Sequence, residues 1–191
     1  SITYDEMPQN LRDAVVSAEN RTFWSDPGIS VKGMSRAAFS VLRGGDVQGG
    51  STITQQYIKV LYLSQERTMQ RKLKELVLAD KMGRKVPKED ILAGYLNTIY
   101  FGRGAYGVQA AAKAYFNIDA KDLDLRQAAV LAAVLNNPTL FDPSDGPAAR
   151  ERLLGRYRYV LDGMLEMGRI SQNDHDAASH ALPDFPDVPV N

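Results

Sequence analysis

Gly49-Gly50-Ser51-Thr52-Ile53-Thr54-Gln55-Gln56 places five polar side chains in the six positions after two glycines. No hydrophobic core asks for that composition. A strongly basic stretch follows, with Lys59, Arg67, Arg71, Lys72, Lys74, Lys81, Arg84, Lys85 and Lys88 opposed only by Glu66, Glu75 and Asp80. A helix start rich in hydroxyls and amides, followed by a cationic stripe, suits a phosphorylated, oxygen-rich ligand. Arg67, Arg71, Lys74 and Glu75 recur at helical spacing, so they are expected on one face, opposite Leu73, Leu76 and Val77. The plain alternative is a solvated face in which Arg71 and Glu75 form an ordinary pair one turn apart. The company of Ser51, Gln55, Gln56 and Lys59 weighs toward a shared anion site on two consecutive helices.

A second chemical group precedes this segment. With Leu11 at the origin of a helical wheel, Ala14, Val15 and Ala18 fall within about 60° and Glu19 at about 80°. A carboxylate at the border of an apolar stripe holds its proton more tightly and suits general acid–base work near neutral pH. The alternative is a partly exposed glutamate paired with Arg12 or Arg21. Phe23 and Trp24 either wall a pocket or join the core.

The elements that position these groups read as helices throughout. Helices are expected after Pro8, over Val31–Leu42, after Ser51 as N-cap through Tyr62, from Ser64 to Met82-Gly83, and from Pro87 to Asn97. More follow over Val108–Phe116, Asp124–Leu135 with a capping box from Asp124 and Gln127, Ala148–Met167 and Ser171–His180. Ile99 to Gly107, with three glycines, is expected as a loop of unusual backbone angles. Alternating β-branched runs are missing, so the class is mainly α.

Composition bounds the rest. A chain of 191 residues suits one domain, or one domain of two lobes. Basic and acidic residues balance at 23 each, so no global field draws in nucleic acid, yet the charge is segregated along the chain. There is no cysteine, which removes disulfide and thiolate chemistry, and no apolar run nears the ~20 residues of a membrane span. Both ends read as cuts within a longer polypeptide, the second inside a Pro-rich tail.

Five motifs carry a family resemblance. They are Ala18-Glu19-Asn20-Arg21-Thr22-Phe23; Gly50-Ser51-Thr52-Ile53-Thr54-Gln55-Gln56; Arg71-Lys72-Leu73-Lys74-Glu75; Ile91 to Asn97 leading into Tyr100 to Gly107; and Ala129 to Pro138. Together they resemble the glycosyltransferase domain of class A penicillin-binding proteins, glycosyltransferase family 51, which polymerises lipid II into peptidoglycan strands. The resemblance implies a lysozyme-like helical head lobe with a smaller membrane-associating jaw at roughly 28–48, a domain over 1–181, and a Pro-rich linker over 182–191 toward a following transpeptidase. It implies Glu19 as general base for the acceptor 4-hydroxyl, with inversion at C1 and release of undecaprenyl pyrophosphate. Glu75 would stand at the pyrophosphate, with Ser51, Gln55, Gln56, Lys59, Arg67, Arg71 and Lys74 holding it, and Phe23 and Asn97 also contacting substrate. A divalent cation, Mg or Mn, is a further implied group, with Glu75 as its candidate ligand. The implied partners are lipid II, the growing lipid-linked strand and the outer face of a bacterial cell membrane, and the implied inhibitor is moenomycin.

Two positions depart from the family pattern. Asn20 stands where an aspartate usually follows the base, and Asp26 near where a histidine usually stands. Two other classes stay open at this point: a lysozyme-like hydrolase or lytic transglycosylase using Glu19 as acid, and a non-catalytic domain that binds lipid II.

Overall fold

The computed structural model describes residues 1–26, 51–62 and 68–188. Every regular element among them is helical, and the only pairing of extended backbone is an isolated bridge between Tyr100 and Tyr106. The mainly-α expectation holds. The expected Val31–Leu42 helix and the jaw at roughly 28–48 lie outside the described residues. The chain divides into two compact units, Ser1–Arg21 with Ile99–Asn191, and Thr22–Thr98.

In the first unit α1 (Gln9–Glu19) packs on α6 (Leu125–Leu135) and α8 (Pro147–Glu166), and α6 packs on α8. Leu11, Ala14, Val15 and Ala18 form the buried stripe their spacing predicts. Ala128 through Leu135 are buried all round, which makes α6 the central helix. Its start is set by the capping box read from the sequence: Asp124 accepts from the Gln127 N–H, and Gln127 accepts from the Asp124 N–H. α5 (Val108–Phe116) and the short α7 (Pro138–Phe141) complete this wall.

A terminal helix, α9 (Gln172–Ser179), docks on α8. His175 joins the two, with Nδ1 2.9 Å from Asp176 Oδ1 and Nε2 2.6 Å from Asp162 Oδ1. The Asp176 hydrogen bond, and then that of Asp162, hold the imidazolium above its ordinary 6.5. A raised folded pKa stabilises while the ring is charged, fully so below the unfolded value, and that part is lost as pH rises through the folded value. The melting temperature is therefore expected to fall as pH rises from 6.5 past neutrality. Asp162→Asn should flatten that slope in melts run across the same range.

The second unit is built from α2 (Ile53–Tyr62), α3 (Met69–Lys85) and α4 (Lys88–Thr98), with α2 packed on both others. The N-cap of α2 is Thr52 rather than Ser51. Thr52 Oγ1 accepts from the Gln55 N–H at 3.1 Å, while Gln55 Oε1 accepts from the Thr52 N–H at 2.9 Å. α3 is capped by Thr68 and runs through Gly83 to Lys85, so Arg84 and Lys85 belong to its last turn rather than lying past it. The expected cap Ser64 lies outside the described residues. Gly94 of α4 lets Tyr57 of α2 lie against its backbone, since any Cβ there would overlap the tyrosine ring.

Candidate active site

Glu19 is the last residue of α1 and is half-buried. Helix ends leave carbonyls without intrahelical donors, and here two arginines supply them. Arg21 Nε donates to Ser17 O at 3.1 Å, and Arg156 Nη2 to Ala18 O at 2.9 Å. Both guanidinium groups stack on the Tyr159 ring, at 4.3 and 4.5 Å from its centroid. Cations at a helix C-terminus also suit the macrodipole. The buried Ser17 hydroxyl donates to Val160 O at 2.7 Å and ties the same turn to α8. The carboxylate thus sits on a turn held from three sides. Arg12 and Arg21 are both engaged elsewhere, Arg12 with Gln9 and the Tyr4 ring, Arg21 with α8 and Glu166.

Gly163 makes this approach of α8 to α1 possible. A Cβ there would overlap the Ser17 hydroxyl and come within 2.7 Å of the Arg21 guanidinium. Gly163→Ala is expected to destabilise the chain by about 1–3 kcal/mol through overpacking. Urea unfolding checks the loss, and activity should fall beyond the unfolded fraction because the turn carrying Glu19 is displaced.

The second unit holds a charged cluster. Glu75 on α3 is only 2% exposed. Lys72 Nζ lies 3.0 Å from Glu75 Oε1, and Lys59 Nζ, from α2, 3.7 Å from Oε2. Lys72 also donates to Ser51 Oγ at 2.7 Å. A buried carboxylate is tolerated because two ammoniums neutralise it. The result is a hydroxyl and two lysines fixed around one anion, with one positive charge in excess, which is the composition of an anion-binding surface.

Several sequence expectations are corrected. α3 does not bury Leu73 and Val77, which are 57% and 55% exposed, while Glu75 and Ala79 face inward. Lys74 therefore does not share a face with Glu75; it is exposed. Phe23 is fully buried and offers a substrate no surface: it meets Trp24 edge-on at 5.1 Å and lies under Lys88 Nζ at 4.8 Å. Gln55 is buried and its carboxamide oxygen caps the helix, so it supports the site instead of lining it. Gln56 accepts from the Tyr95 hydroxyl at 2.8 Å, which fixes α2 to α4. Ser51, Arg71 and Asn97 are half-buried, and Arg67 lies outside the described residues.

Lys72 is named in the sequence only as part of the basic stretch, yet it stands three residues before Glu75, a spacing that pairs side chains on a helix as well as four does. Lys88, the last residue of that stretch, has a structural role of its own. It donates to the Asp26 carbonyl, and burial lowers its pKa against the opposing pull of the Asp26 charge, so it braces the Thr22–Asp26 turn.

Among the described residues, the donor set at Glu75 does not fit a resident divalent cation. Each Glu75 oxygen faces a lysine ammonium, and the described residues contain no group of three or more candidate ligands.

Residues 1–165 match the model of the family described as Transglycosylase. Penicillin-binding protein 1A of Mycolicibacterium smegmatis is 46% identical over 181 residues, 92% of this chain and 23% of that protein. Penicillin-binding protein 1A of Aquifex aeolicus is 44% identical over 178 residues, 93% of this chain and 24% of that protein. Penicillin-binding protein 1F of Bacillus subtilis is 38% identical over 174 residues, 91% and 24% of the two chains. The chain thus spans about a quarter of the length of these relatives. A crystal structure of penicillin-binding protein 1A from Haemophilus influenzae covers 71% of this chain and 17% of its own, at 24% identity and a TM-score of 0.45.

Proposed function

This chain belongs to the transglycosylase family, and we propose from that footing that it is a peptidoglycan glycosyltransferase acting on lipid II. The observation that carries the reading is the buried Glu75 bracketed by Lys59 and Lys72, with the Ser51 hydroxyl on Lys72. Transfer from a lipid pyrophosphate needs two things: a base for the incoming hydroxyl and cations for the leaving group. Glu19 takes the proton of the acceptor 4-hydroxyl. The oxygen attacks C1 of the donor sugar from the face opposite the leaving group, the C1–O bond to pyrophosphate breaks, and a β-1,4 linkage forms with inversion. Lys59 and Lys72, already held in place by Glu75, neutralise the charge gathering on the departing pyrophosphate with no reorganisation at the moment of reaction. The half-buried Arg71 adds cationic reach along the same segment, and Arg67 adds a further positive charge to it in sequence.

The setting we propose is a membrane surface. Met69, Leu73 and Val77 recur every four residues on the exposed side of α3, with Lys74, Lys81 and Arg84 also exposed on that side. An apolar stripe edged by cations suits the interface of an anionic bilayer. No helix among the described residues is long and apolar enough to cross one. We extend the proposal to the whole enzyme: a transpeptidase works beside this chain, a reading in keeping with relatives named penicillin-binding proteins.

The experiment is incubation of the chain with labelled lipid II in detergent. A ladder of glycan products that a muramidase destroys is expected, and substrate left unchanged would overturn the reading.

A further inference from the structure

A helix that ends on a left-handed residue satisfies its own last carbonyls. α1 does not end that way: Asn20 follows it in extended backbone, at φ −164° and ψ 79°, with its N–H donating to Val16 O at 2.9 Å. The next two carbonyls, of Ser17 and Ala18, go to the side chains of Arg21 and Arg156, at 3.1 and 2.9 Å. Both guanidinium groups lie on one ring, that of Tyr159, which is 43% exposed, so burial does not account for the tyrosine. Arg21 also donates to the Tyr159 carbonyl at 3.2 Å. Two cations on one ring repel each other, and Arg156 Nε is buried without a hydrogen-bond partner. Both features cost stability. A glycine would close the helix at less cost, so the arrangement asks for a reason other than stability.

We propose that Arg156, seated on the Tyr159 ring beside Arg21, is a positioning residue: it keeps the last turn of α1 wound, so that Glu19 stands where it can take the acceptor proton. The inference rests on the glycosyltransferase reading, in which Glu19 is the base. Helix ends fray, and opening of this turn would carry the carboxylate with it. A displacement of about 1 Å at a reacting group costs about 100-fold in rate. Arg156 comes from α8, 138 positions along the chain, so α8 and not α1 alone sets where Glu19 stands. The charge of the pair matters as well as its bonds. The negative end of the helix dipole disfavours an ionised carboxylate in the last turn, and cations on the terminal carbonyls oppose that field. Neither Arg156 nor Tyr159 belongs to the five motifs.

The test uses the whole chain, with initial polymerisation rates read over a range of lipid II concentrations and amide hydrogen exchange read on the peptide that ends α1. Arg156→Ala should lower kcat about 10–100-fold with KM within about twofold of wild type, and should speed exchange in the last turn of α1. Tyr159→Leu, at an exposed site, should lower kcat about tenfold, while Tyr159→Phe, which keeps the ring, should stay within about twofold. Arg158→Ala is the control. Arg158 also comes from α8 and also serves helix-end carbonyls, but those of Ser179 and His180, at 2.9 and 3.3 Å, so kcat should not change. Hydrogen exchange needs no turnover, so the hold on α1 reads out separately from the enzyme activity. Wild type that makes no polymer would take down the enzyme reading, and this inference with it. With an active wild type, any of four results would overturn the inference alone: α1 exchange or kcat unchanged by Arg156→Ala, a loss confined to KM, Tyr159→Phe falling as far as Tyr159→Leu, or an equal loss in Arg158→Ala.

Discussion

Glu19→Gln is expected to cut lipid II polymerisation by roughly 10²–10⁴-fold while leaving the affinity for moenomycin, a phosphoglycolipid, within about twofold of wild type. The amide keeps the size and the hydrogen-bonding capacity of the side chain, and α1 keeps its cap from Arg156 and Arg21. Only the ability to take a proton disappears, so the loss belongs to the chemical step. Retention of most activity would remove Glu19 from the role of base, and a parallel loss of moenomycin affinity would assign it to binding.

The second large effect is expected at the lysine pair. Lys72→Ala removes an ammonium that bridges Ser51 and a carboxylate 2% exposed, so both ligand affinity and stability should fall. Each charge-assisted contact to a pyrophosphate is worth about 1.5–3 kcal/mol. Leaving Glu75 with one partner adds a cost in stability that breaking a buried pair carries, up to about 3–5 kcal/mol. Lys59→Ala should do less to stability, because its side chain is 33% exposed and its distance to Glu75 is longer, 3.7 Å. Both lysines act on one carboxylate, so the double variant should depart from the sum of the singles. Lys85, exposed at the end of α3, is the control that should change neither quantity. Equal small losses at all three positions, read by chemical unfolding and moenomycin titration, would reduce the basic segment to a solvated face.

Local rules read the fold well where one element decides its own boundaries. The α1 stripe, the Asp124–Gln127 box and the span of α5 all follow from spacing and capping within a few residues. The start of α2 was misplaced by one residue, because Ser51 and Thr52 are both good caps and only the reciprocal bond with Gln55 chooses Thr52. The larger error was the face of α3. Apolar periodicity puts Leu73 and Val77 inward, but the buried positions go to Glu75 and Ala79, because Glu75 is matched by lysines from two helices. A pattern rule assumes that burial is apolar; where a charged cluster is buried the rule inverts, and the displaced apolar residues face outward. The same inversion hid Lys72. Of the candidate site, type and spacing single out Glu19, Lys59 and Glu75 as groups that could do chemistry, but their roles come only with the family resemblance. The supports were not legible, since the bond from Arg156 to Ala18 joins residues 138 positions apart, and nothing local announces it.

The most direct measurement is the stoichiometry of the wild-type reaction: moles of lipid pyrophosphate released per mole of new sugar–sugar linkage, from lipid II labelled in both parts. One lipid pyrophosphate released for each linkage formed is expected, with both abolished together in Glu19→Gln. Pyrophosphate release without linkage, cleavage of preformed glycan strands, or binding with no turnover would each contradict it.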